Sequence, residues 1–398
     1  MKTNNQKINL LFFIGSFKGG GKERRLIELL SYLAAKDCYE LMVVVTDPII
    51  DFPAFYDLKI TYHIIPKKWN RNDLTVFYKF YQICRQFKPD IIHTWGRVQS
   101  FYALPAVIGL RIPLVNGQIT SAPPSAARLS LKRMIDRINF SFSTVILSNS
   151  RAGVTAYKPP QKKIKVIYNG ISLHRFDNLP APEQVRSKYG ITTPFSVVMV
   201  ASFSSNKNYE LFFRIAEKVT SVRDDITFIA VGDSCNGKPA AVKLYGKLAD
   251  RNPRIKLTGR ISDVEAVINS CTLGVLFSNS AVHGEGISNA IIEYMSLGRP
   301  VMANDAGGTK EIVYNNVNGY LVTRQTDDEI AGLITSLIDD PEKCKAFGKA
   351  GRKIIEACFL IDKMGKDFEE TYQDILEGRL KNKLSTFQPD SSLSSQTF

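Results

Sequence analysis

Two glutamates in the C-terminal half have the spacing and the surroundings of ligand-binding carboxylates. Glu285 and Glu293 lie eight residues apart in the stretch SAVHGEGISNAIIEYMSLGRPVMANDAGG, residues 280–308. The glycines on both sides of Glu285 predict a loop, and the apolar run after it predicts a helix. Glu293 is then expected about one turn inside that helix, roughly 6 Å along its axis. A carboxylate at that position could accept hydrogen bonds from both hydroxyls of a ribose.

The start of this helix predicts an anion site. Ser288 and Asn289 are residue types that cap helix N-termini, and Gly298, just before Pro300, is expected to end the helix. A glycine loop that opens a helix leaves backbone N–H groups and the positive end of the helix dipole directed at one place. A diphosphate suits such a place, so Glu285 could hold hydroxyls of whatever group follows the diphosphate.

The whole stretch resembles a known family. A Glu-x7-Glu pair followed by YMSLGRPVMANDAGG is similar to the retaining, nucleotide-sugar-dependent glycosyltransferases of the family 4 type, or glycosyl transferases group 1. A bare pair of glutamates would equally fit two solvated helix residues, but Gly286, Asn289, the LGRPV helix end and the Gly307–Gly308 turn make the pattern specific. The resemblance covers residues 8–375. It implies an α/β protein with the GT-B fold, in which two Rossmann-like, doubly wound parallel-sheet domains face a cleft.

The resemblance also implies a set of donor-binding residues. The loop GSFKGGGKERR fits neither a Walker A sequence nor G-x-G-x-x-G, but Gly20 and Gly21 match the family's GGxER loop at the donor diphosphate. Lys207 is expected on the diphosphate, and the loop 259–261 on the nucleobase. The implied set comprises Gly20, Gly21, Ser202, Lys207, Arg260, Ile261, Glu285, Gly286, Ile287, Ser288, Asn289 and Glu293.

Three residues are expected to take part in the reaction itself. Glu285 is expected to hold the transferred sugar, and Lys207 to stabilise negative charge on the leaving diphosphate; a surface lysine is the alternative for Lys207. Neither glutamate is expected to act as a nucleophile. His93 ends the strand predicted in KPDIIHTWG, where family members often carry a His near the interdomain cleft. A single His at a strand end is as often structural.

The chain departs from the family pattern at two places. Ser202 stands where relatives supply an arginine to the diphosphate, which weakens the predicted clamp unless another basic residue, such as Arg260, reaches in. Residues 116–120, Asn-Gly-Gln-Ile-Thr, stand where many relatives place a His that faces the reacting sugar. The second departure suggests a distinct acceptor subgroup.

We expect neither a metal nor a cofactor. The chain contains no Asp-x-Asp sequence and no Cys/His cluster, so a metal-bound diphosphate is not supported. The donor substrate is expected to be a UDP- or GDP-sugar. The six cysteines are scattered without a Cys-x-x-Cys pair, which is typical of reduced, buried thiols.

Positive charge is concentrated in the N-terminal half. Through Arg175 the chain has 26 Lys and Arg against 10 Asp and Glu, whereas the remainder has 26 against 28. This favours an anionic partner, and without a zinc-finger or RNP-type sequence a membrane surface or a lipid-linked acceptor ranks above nucleic acid. A predicted helix in AARLSLKRMIDRINF fits either docking on anionic lipid or an ordinary solvated face. Its basic residues are Arg128, Lys132, Arg133 and Arg137.

The location of the protein follows from what the sequence lacks. No stretch approaches the roughly 20 apolar residues that span a bilayer. The start INLLFFIG, followed by Phe17 and Lys18, fits a buried first strand better than a signal peptide. We therefore expect a cytoplasmic protein, with peripheral contact to the inner face of the cell membrane as an option.

The element pattern and the resemblance to the GT-B family together imply five segments. They are a Rossmann-like acceptor-side domain at 1–175, a Pro-rich linker at 176–194, a Rossmann-like nucleotide-sugar domain at 195–360, a helix at 361–380 that crosses back to the first domain, and a disordered tail at 381–398.

The leading hypothesis is a retaining, metal-independent glycosyltransferase of the hexosyltransferase class. It would move a sugar to a glycan or lipid-linked acceptor in surface or extracellular polysaccharide biosynthesis. Two alternatives stay open. One is a non-catalytic nucleotide-sugar-binding subunit, motivated by Ser202 and the missing His. The other is a 2-epimerase-like enzyme, which needs no acceptor.

Overall fold

Two compact units make up the chain. The computed structural model describes residues 7–66, 73–124, 130–233 and 239–378. Unit 1 is Met1–Ile171 together with Leu360–Phe398, and unit 2 is Ser172–Phe359. Each unit is built on one parallel sheet.

Unit 1 contains a seven-stranded sheet in the order β3-β2-β1-β4-β5-β6-β7. Its strands are β1 (Ile8–Ile14), β2 (Tyr39–Val45), β3 (Thr61–Ile64), β4 (Ile91–Trp95), β5 (Leu114–Ile119), β6 (Val145–Ser148) and β7 (Ile164–Val166). Its first six helices are α1 (Gly21–Ala34), α2 (Ala54–Asp57), α3 (Thr75–Phe87), α4 (Arg97–Gly109), α5 (Leu131–Phe142) and α6 (Arg151–Tyr157), and a 3-10 turn lies at Gln161–Lys163.

The first strand shows why this sheet is covered on both faces. Side chains of a strand alternate between its two faces, and both sets in β1 are apolar. Leu10, Phe12 and Ile14 pack in one core cluster with buried residues of α1. Leu11 and Phe13 pack in a second cluster with residues of α3 and α4. A strand that is buried on both sides is what a doubly wound parallel sheet requires.

Unit 2 contains a six-stranded sheet in the order β10-β9-β8-β11-β12-β13. Its strands are β8 (Phe195–Val200), β9 (Ile226–Val231), β10 (Ile255–Gly259), β11 (Leu273–Leu276), β12 (Val301–Asn304) and β13 (Gly319–Val322). Its helices are α7 (Pro182–Lys188), α8 (Tyr209–Val222), α9 (Pro239–Arg251), α10 (Val264–Asn269), α11 (Asn289–Ser296), α12 (Asp327–Ile338) and α13 (Pro341–Cys358), with 3-10 turns at Leu173–Phe176 and Gly308–Glu311.

The strand order reverses once in each sheet. In unit 1 the reversal lies between β1 and β4, and in unit 2 it lies between β8 and β11. All pairs in both sheets are parallel, so the carboxyl ends of the strands share one edge. Ligands of doubly wound sheets bind outside that edge at the reversal, which is called the topological switch point.

The unit boundaries differ from the predicted segments. The chain passes into unit 2 between Ile171 and Ser172, so Arg175 belongs to unit 2 and not to the first domain. The predicted linker at 176–194 includes helix α7, which packs against α10 within unit 2. The last described helix, α14 (Ile361–Leu376), packs against α1 in unit 1. The predicted tail at 381–398 lies outside the described residues.

Five of the six cysteines lie in the part of the chain that the structure describes, and Cys38, Cys84, Cys271 and Cys344 are free thiols. Cys84 and Cys271 are buried as predicted, but Cys38 is exposed. Cys235 lies outside the described residues. Burial raises the pKa of the Cys84 thiol to about 12 and that of Cys271 to about 11, so both remain thiols at neutral pH.

Candidate functional site

The switch point of unit 2 brings a cation and a carboxylate together. Strand β8 leads into the loop 201–208, and β11 leads into the loop 277–288. Lys207 comes from the first loop and Glu285 from the second, and Lys207 Nζ lies 2.5 Å from Glu285 Oε1. Two of the predicted catalytic residues therefore form one ion pair at the place where the fold favours ligand binding.

Main-chain hydrogen bonds hold these two loops side by side. The Asn208 N–H donates to the Phe277 carbonyl at 2.8 Å. One position earlier, Lys207 and Ser278 form an antiparallel bridge. These main-chain contacts hold the loop of Lys207 next to the loop of Glu285, independently of the side-chain ion pair.

A third loop, which follows β12, fixes the backbone of Glu285. The Glu285 N–H donates to the Ala306 carbonyl at 3.2 Å, and the Gly308 N–H donates to the Glu285 carbonyl at 2.8 Å. Gly307 between them has φ +68°, and a Cβ at this position would overlap the Glu285 carbonyl oxygen. Glycine is therefore required here, both for its conformation and for the close approach.

The surroundings of Glu285 keep its carboxylate ionised. Burial alone would raise its pKa, but the charge of Lys207 and hydrogen bonds from His283, Lys207 and Ser278 outweigh burial and hold the pKa of Glu285 well below its usual range. The Ser278 hydroxyl donates to Glu285 Oε1 at 2.6 Å, and His283 Nε2 lies 3.6 Å from the same oxygen. A buried anion with this environment accepts hydrogen bonds from hydroxyl groups and does not supply a proton.

Helix α11 begins where the sequence predicts. Ser288 is its N-cap residue, although its side chain makes no capping hydrogen bond, and Asn289 is its first residue. Gly286 and Ile287, between Glu285 and the helix, are buried. The helix ends before Gly298, which has φ +64°. The predicted donor-binding residues 285–289 thus form one continuous turn into the N-terminus of α11.

Glu293 has a partner that the sequence did not indicate. It lies in the second turn of α11, and its side chain is 5% exposed. Arg175 Nη2 donates to Glu293 Oε1 at 3.2 Å and also to Glu265 Oε1. Arg175 lies in the 3-10 turn Leu173–Phe176, and Glu265 in the first turn of α10. Sequence separations of 118 and 90 residues explain why local patterns could not reveal this cluster.

The remaining predicted residues of unit 2 lie along the same edge of the sheet. Ser202 follows β8, and its hydroxyl donates to Ser204 Oγ at 3.4 Å. Arg260, which is exposed, and Ile261, which is half-buried, follow β10. Strand β10 is two positions away from β8 in the sheet, so these two residues occupy the flank of the site and not its centre.

The predicted glycine loop of unit 1 lies at the switch point of its own sheet. Gly20 is the N-cap residue of α1 and Gly21 is the first residue of that helix; both are exposed. The Gly19 N–H donates to Asp51 Oδ2 at 3.0 Å, which anchors the loop to the segment after β2. The N-terminus of α1 therefore lies at the carboxyl ends of the strands of this sheet.

His93 is enclosed in the core of unit 1. The strand predicted to end at His93 continues to Trp95, which places His93 inside the sheet with no exposed surface. Its Nδ1 atom is 2.8 Å from the Tyr372 hydroxyl of α14, and Phe12 and Phe368 pack beside the ring. His93 is a core residue of unit 1 in this structure, and its predicted catalytic role stays a prediction.

The polar residues of the segment 116–120 are also enclosed. Asn116 and Gln118 of β5 are buried. Gln118 Nε2 donates to Asp136 Oδ1 at 2.5 Å, and Asn139 Nδ2 donates to Gln118 Oε1 at 2.9 Å. Arg97 holds the same Asp136 carboxylate through two nitrogen atoms. This network fastens helix α5 to β5 and α4.

Comparisons with known proteins fit this architecture. The family model described as Glycosyltransferase Family 4 matches residues 19–175, and the one described as Glycosyl transferases group 1 matches residues 182–354. The chain belongs to this glycosyltransferase family. The two matches contain the glycine loop of unit 1 and the Lys207–Glu285 pair of unit 2.

Curated members of the glycosyltransferase family are distant relatives of this chain. The α-D-kanosaminyltransferase of Streptomyces kanamyceticus is 25% identical over 192 residues, 48% of this chain and 49% of the relative. The N-acetyl-α-D-glucosaminyl L-malate synthase of Bacillus anthracis is 22% identical over 321 residues, 78% of this chain and 82% of the relative. The chain spans about half the length of the kanosaminyltransferase and of several other curated relatives it matches.

A solved structure confirms the fold. Anabaena HepE, solved in complex with UDP-glucose, matches with a TM-score of 0.80 and 23% identity, covering 92% of this chain and all of HepE. Similarity at this level shows the fold alone. The prediction of a GT-B protein with two parallel-sheet α/β domains is therefore confirmed.

None of the helices within the described ranges combines the length and the apolar character that crossing a bilayer requires.

Proposed function

We propose that this family member transfers a sugar from a nucleotide-diphosphate sugar, with UDP or GDP as its nucleotide, to a glycan or lipid-linked acceptor. The observation that carries the proposal is the Lys207–Glu285 ion pair at the switch point of unit 2, with Glu293 on the helix that follows. HepE was solved with UDP-glucose, and a Corynebacterium glutamicum relative is named a GDP-mannose-dependent mannosyltransferase, which supports both nucleotides as candidates.

Each charged residue at the carboxyl-end edge of the unit 2 sheet binds a different part of the donor. Lys207 and the N-terminus of α11 stabilise the charge that develops on the leaving diphosphate. Glu285, which stays ionised, accepts hydrogen bonds from hydroxyls of the transferred sugar. Glu293 accepts them from the ribose, and the loop of Arg260 and Ile261 packs on the nucleobase.

The proposed reaction is metal-independent and retains the configuration of the transferred sugar. Lys207 and backbone N–H groups supply the positive charge that the leaving group needs, and the chain has no Asp-x-Asp sequence. Neither glutamate acts as a nucleophile, so no covalent enzyme intermediate is formed. Bringing the acceptor hydroxyl and the anomeric carbon together supplies the rest of the rate enhancement.

A face of unit 1 fits the acceptor side of this proposal. Helix α5 exposes the apolar residues Leu131, Met134 and Phe142. Lys132 and Arg137 of the same helix are exposed as well; Arg128 lies outside the described residues. A helix with exposed apolar and cationic residues binds anionic lipid surfaces. This supports the proposal of a cytoplasmic protein that contacts the inner face of the cell membrane, where a lipid-linked acceptor would be presented for building a surface or extracellular polysaccharide.

One observation favours a second candidate. Ser202, where relatives have an arginine, is neutral and bonds to Ser204. A site with one fewer cation binds a donor but stabilises the leaving diphosphate less. The second candidate is therefore a nucleotide-sugar-binding subunit without turnover; a 2-epimerase-like enzyme would turn a donor over without any acceptor.

A donor panel tests the proposal. UDP-, GDP- and ADP-linked sugars are screened by thermal shift and by donor hydrolysis with the wild type, Glu293→Ala and, as a control, Glu356→Ala. Glu356 is exposed on α13 and pairs with Arg352. We expect one donor at 100 times its dissociation constant to stabilise the wild type and the control by about 2.7 kcal/mol, and Glu293→Ala much less.

The outcomes separate the candidates. Slow hydrolysis of the stabilising donor, accelerated by a glycan or lipid-linked acceptor, supports the transferase. Binding without turnover in the presence of every acceptor tested supports the nucleotide-sugar-binding subunit. Conversion of the donor sugar in the absence of an acceptor supports the 2-epimerase-like enzyme. If none of the nucleotide sugars stabilises the wild type, the proposal is refuted.

A further inference from the structure

Arg175 joins two carboxylates of unit 2. Its Nη2 atom donates to Glu265 Oε1 and, at 3.2 Å, to Glu293 Oε1. All three side chains are largely enclosed, with 21%, 15% and 5% of the side chains of Arg175, Glu265 and Glu293 exposed. The cluster unites three elements, because Arg175 comes from the turn Leu173–Phe176, Glu265 from α10 and Glu293 from α11.

The geometry of this cluster restricts the side chain of Glu293. A glutamate has several rotatable bonds, and holding it in one orientation costs side-chain entropy. A charge-assisted hydrogen bond from a guanidinium is strong and directional, so it selects one orientation of the carboxylate. Glu265 accepts from the same nitrogen and keeps Arg175 in place. The orientation of Glu293 is therefore set before any ligand arrives.

We propose that Arg175 is a positioning residue that holds the Glu293 carboxylate in the orientation that accepts the ribose hydroxyls of a nucleoside diphosphate. This inference rests on the proposed function, because it requires that Glu293 is the ribose-binding residue. Arg175 does not itself touch the nucleotide in this account. It raises the affinity because the Glu293 side chain is already ordered and loses less entropy when the ligand binds.

The charge balance predicts what happens without Arg175. One guanidinium serves two carboxylates, so its removal leaves two enclosed negative groups, Glu265 and Glu293, without their shared cation. Like charges repel, and each carboxylate is then expected to turn toward solvent. Glu293 would lose the orientation that a ribose needs, while the Lys207–Glu285 pair and the start of α11 would keep their places.

A deoxyribose comparison tests this inference. Isothermal titration calorimetry measures the binding of UDP and GDP, each beside its 2′-deoxy form, to the wild type, Arg175→Ala and Arg175→Lys. The nucleotide that binds the wild type is expected to bind about 10-fold more weakly to Arg175→Ala, whereas its 2′-deoxy form should lose less than twofold. Arg175→Lys, which keeps the charge, should recover part of the difference.

Two further variants keep the test decisive. Arg214→Ala removes an exposed arginine of α8 that also pairs with two carboxylates, and it should leave both affinities unchanged. Glu265→Gln removes one of the two carboxylate charges that hold Arg175, and it should weaken the ribose preference about threefold. If Arg175→Ala does not fold, the affinities for the ribose and 2′-deoxyribose nucleotides are compared in Arg175→Lys and Glu265→Gln instead.

The inference and the proposed function fail in different ways. If the wild type binds neither UDP nor GDP, the proposed function fails. If the wild type prefers ribose over 2′-deoxyribose and Glu293→Gln removes this preference, the ribose role of Glu293 stands. In that case, equal weakening of the ribose and deoxyribose forms by the Arg175 variants, or no weakening, overturns the positioning role of Arg175.

Discussion

Two buried titratable side chains, Glu285 in unit 2 and His93 in unit 1, have opposite electrostatic surroundings. Glu285 of unit 2 is 8% exposed and contacts Lys207, Ser278 and His283 in the loop that follows β11. His93 of unit 1 is fully enclosed inside a strand, among aromatic rings. Burial opposes charge in both places, but only Glu285 has a cation and several donors that overcome it.

The comparison separates an interaction site from a core position. His93 has its pKa lowered far below the usual value, first by burial and then by the charge of Arg25, so its imidazole is neutral at physiological pH. Arg25 itself stacks over Trp95, and burial lowers its pKa to about 9. At these two positions, the neighbours that stabilise the charge of Glu285 favour ligand chemistry, and those that suppress the charge of His93 favour packing.

Replacing Lys207 with a neutral residue removes the cation that stabilises the Glu285 carboxylate. Burial then opposes the charge of Glu285 as it opposes that of His93. In Lys207→Met, the enclosed carboxylate loses its lysine partner, and under the proposed function the leaving diphosphate loses its charge stabilisation. We expect donor turnover to fall about 100-fold or more, and the free energy of unfolding to fall by about 3 kcal/mol. Donor hydrolysis and urea unfolding measure the two effects.

Lys218 provides the matched control. It pairs with Asp328 on the surface, where an ion pair is worth less than 1 kcal/mol. Lys218→Met should therefore leave turnover unchanged. Turnover in Lys207→Met that equals turnover in the control would contradict the role of Lys207.

The backbone support of Glu285 can be broken without changing any charge. Gly307→Ala introduces a Cβ against the Glu285 carbonyl at a left-handed φ, so we expect about 2–4 kcal/mol of destabilisation by chemical denaturation. Gly332 in α12 has open space around it, and Gly332→Ala should stabilise by about 0.5–1 kcal/mol. Equal effects of the two substitutions would show that the loop does not depend on the glycine.

The pH dependence of stability distinguishes His93 from Glu285. Below about pH 6.5 the unfolded chain protonates at His93 while the folded chain does not, so the free energy of unfolding falls by up to about 1.4 kcal/mol per pH unit. Glu285 has a lowered folded pKa, so its contribution is present above about pH 4.3 and is lost only at lower pH.

His93→Gln tests this difference between pH 7 and pH 5. The variant should show a flatter pH dependence than the wild type and unchanged donor turnover per folded molecule. His174→Gln, which replaces an exposed histidine, should behave like the wild type. Lost turnover in His93→Gln at full folding would restore His93 to the reaction.

The fold was predictable because buried parallel strands leave a strong pattern. The runs INLLFFI, YELMVVV and FSVVMV are apolar on both faces, and they are β1, β2 and β8 of the structure. The helix with Glu293 was predicted from its cap residues and from Gly298 at its end, and α11 has nearly those bounds. Local pattern and tertiary structure agree at these places.

Other features depend on contacts that no local pattern contains. The strand was predicted to end at His93, but it continues through Thr94, which is buried and bonds to Ser100 of α4. The Pro-rich stretch at 176–194 was predicted as a linker, although α7 within it packs on α10. Arg175 was missed because its partners come from two distant helices.

The most direct measurement is a crystal structure of the protein with the nucleotide sugar that the donor panel selects. We predict diphosphate oxygens within about 3.2 Å of Lys207 Nζ and ribose hydroxyls on the Glu293 carboxylate, at the switch point of unit 2. A nucleotide bound elsewhere, with Glu293 contacting Arg175 and no ribose, would contradict the account.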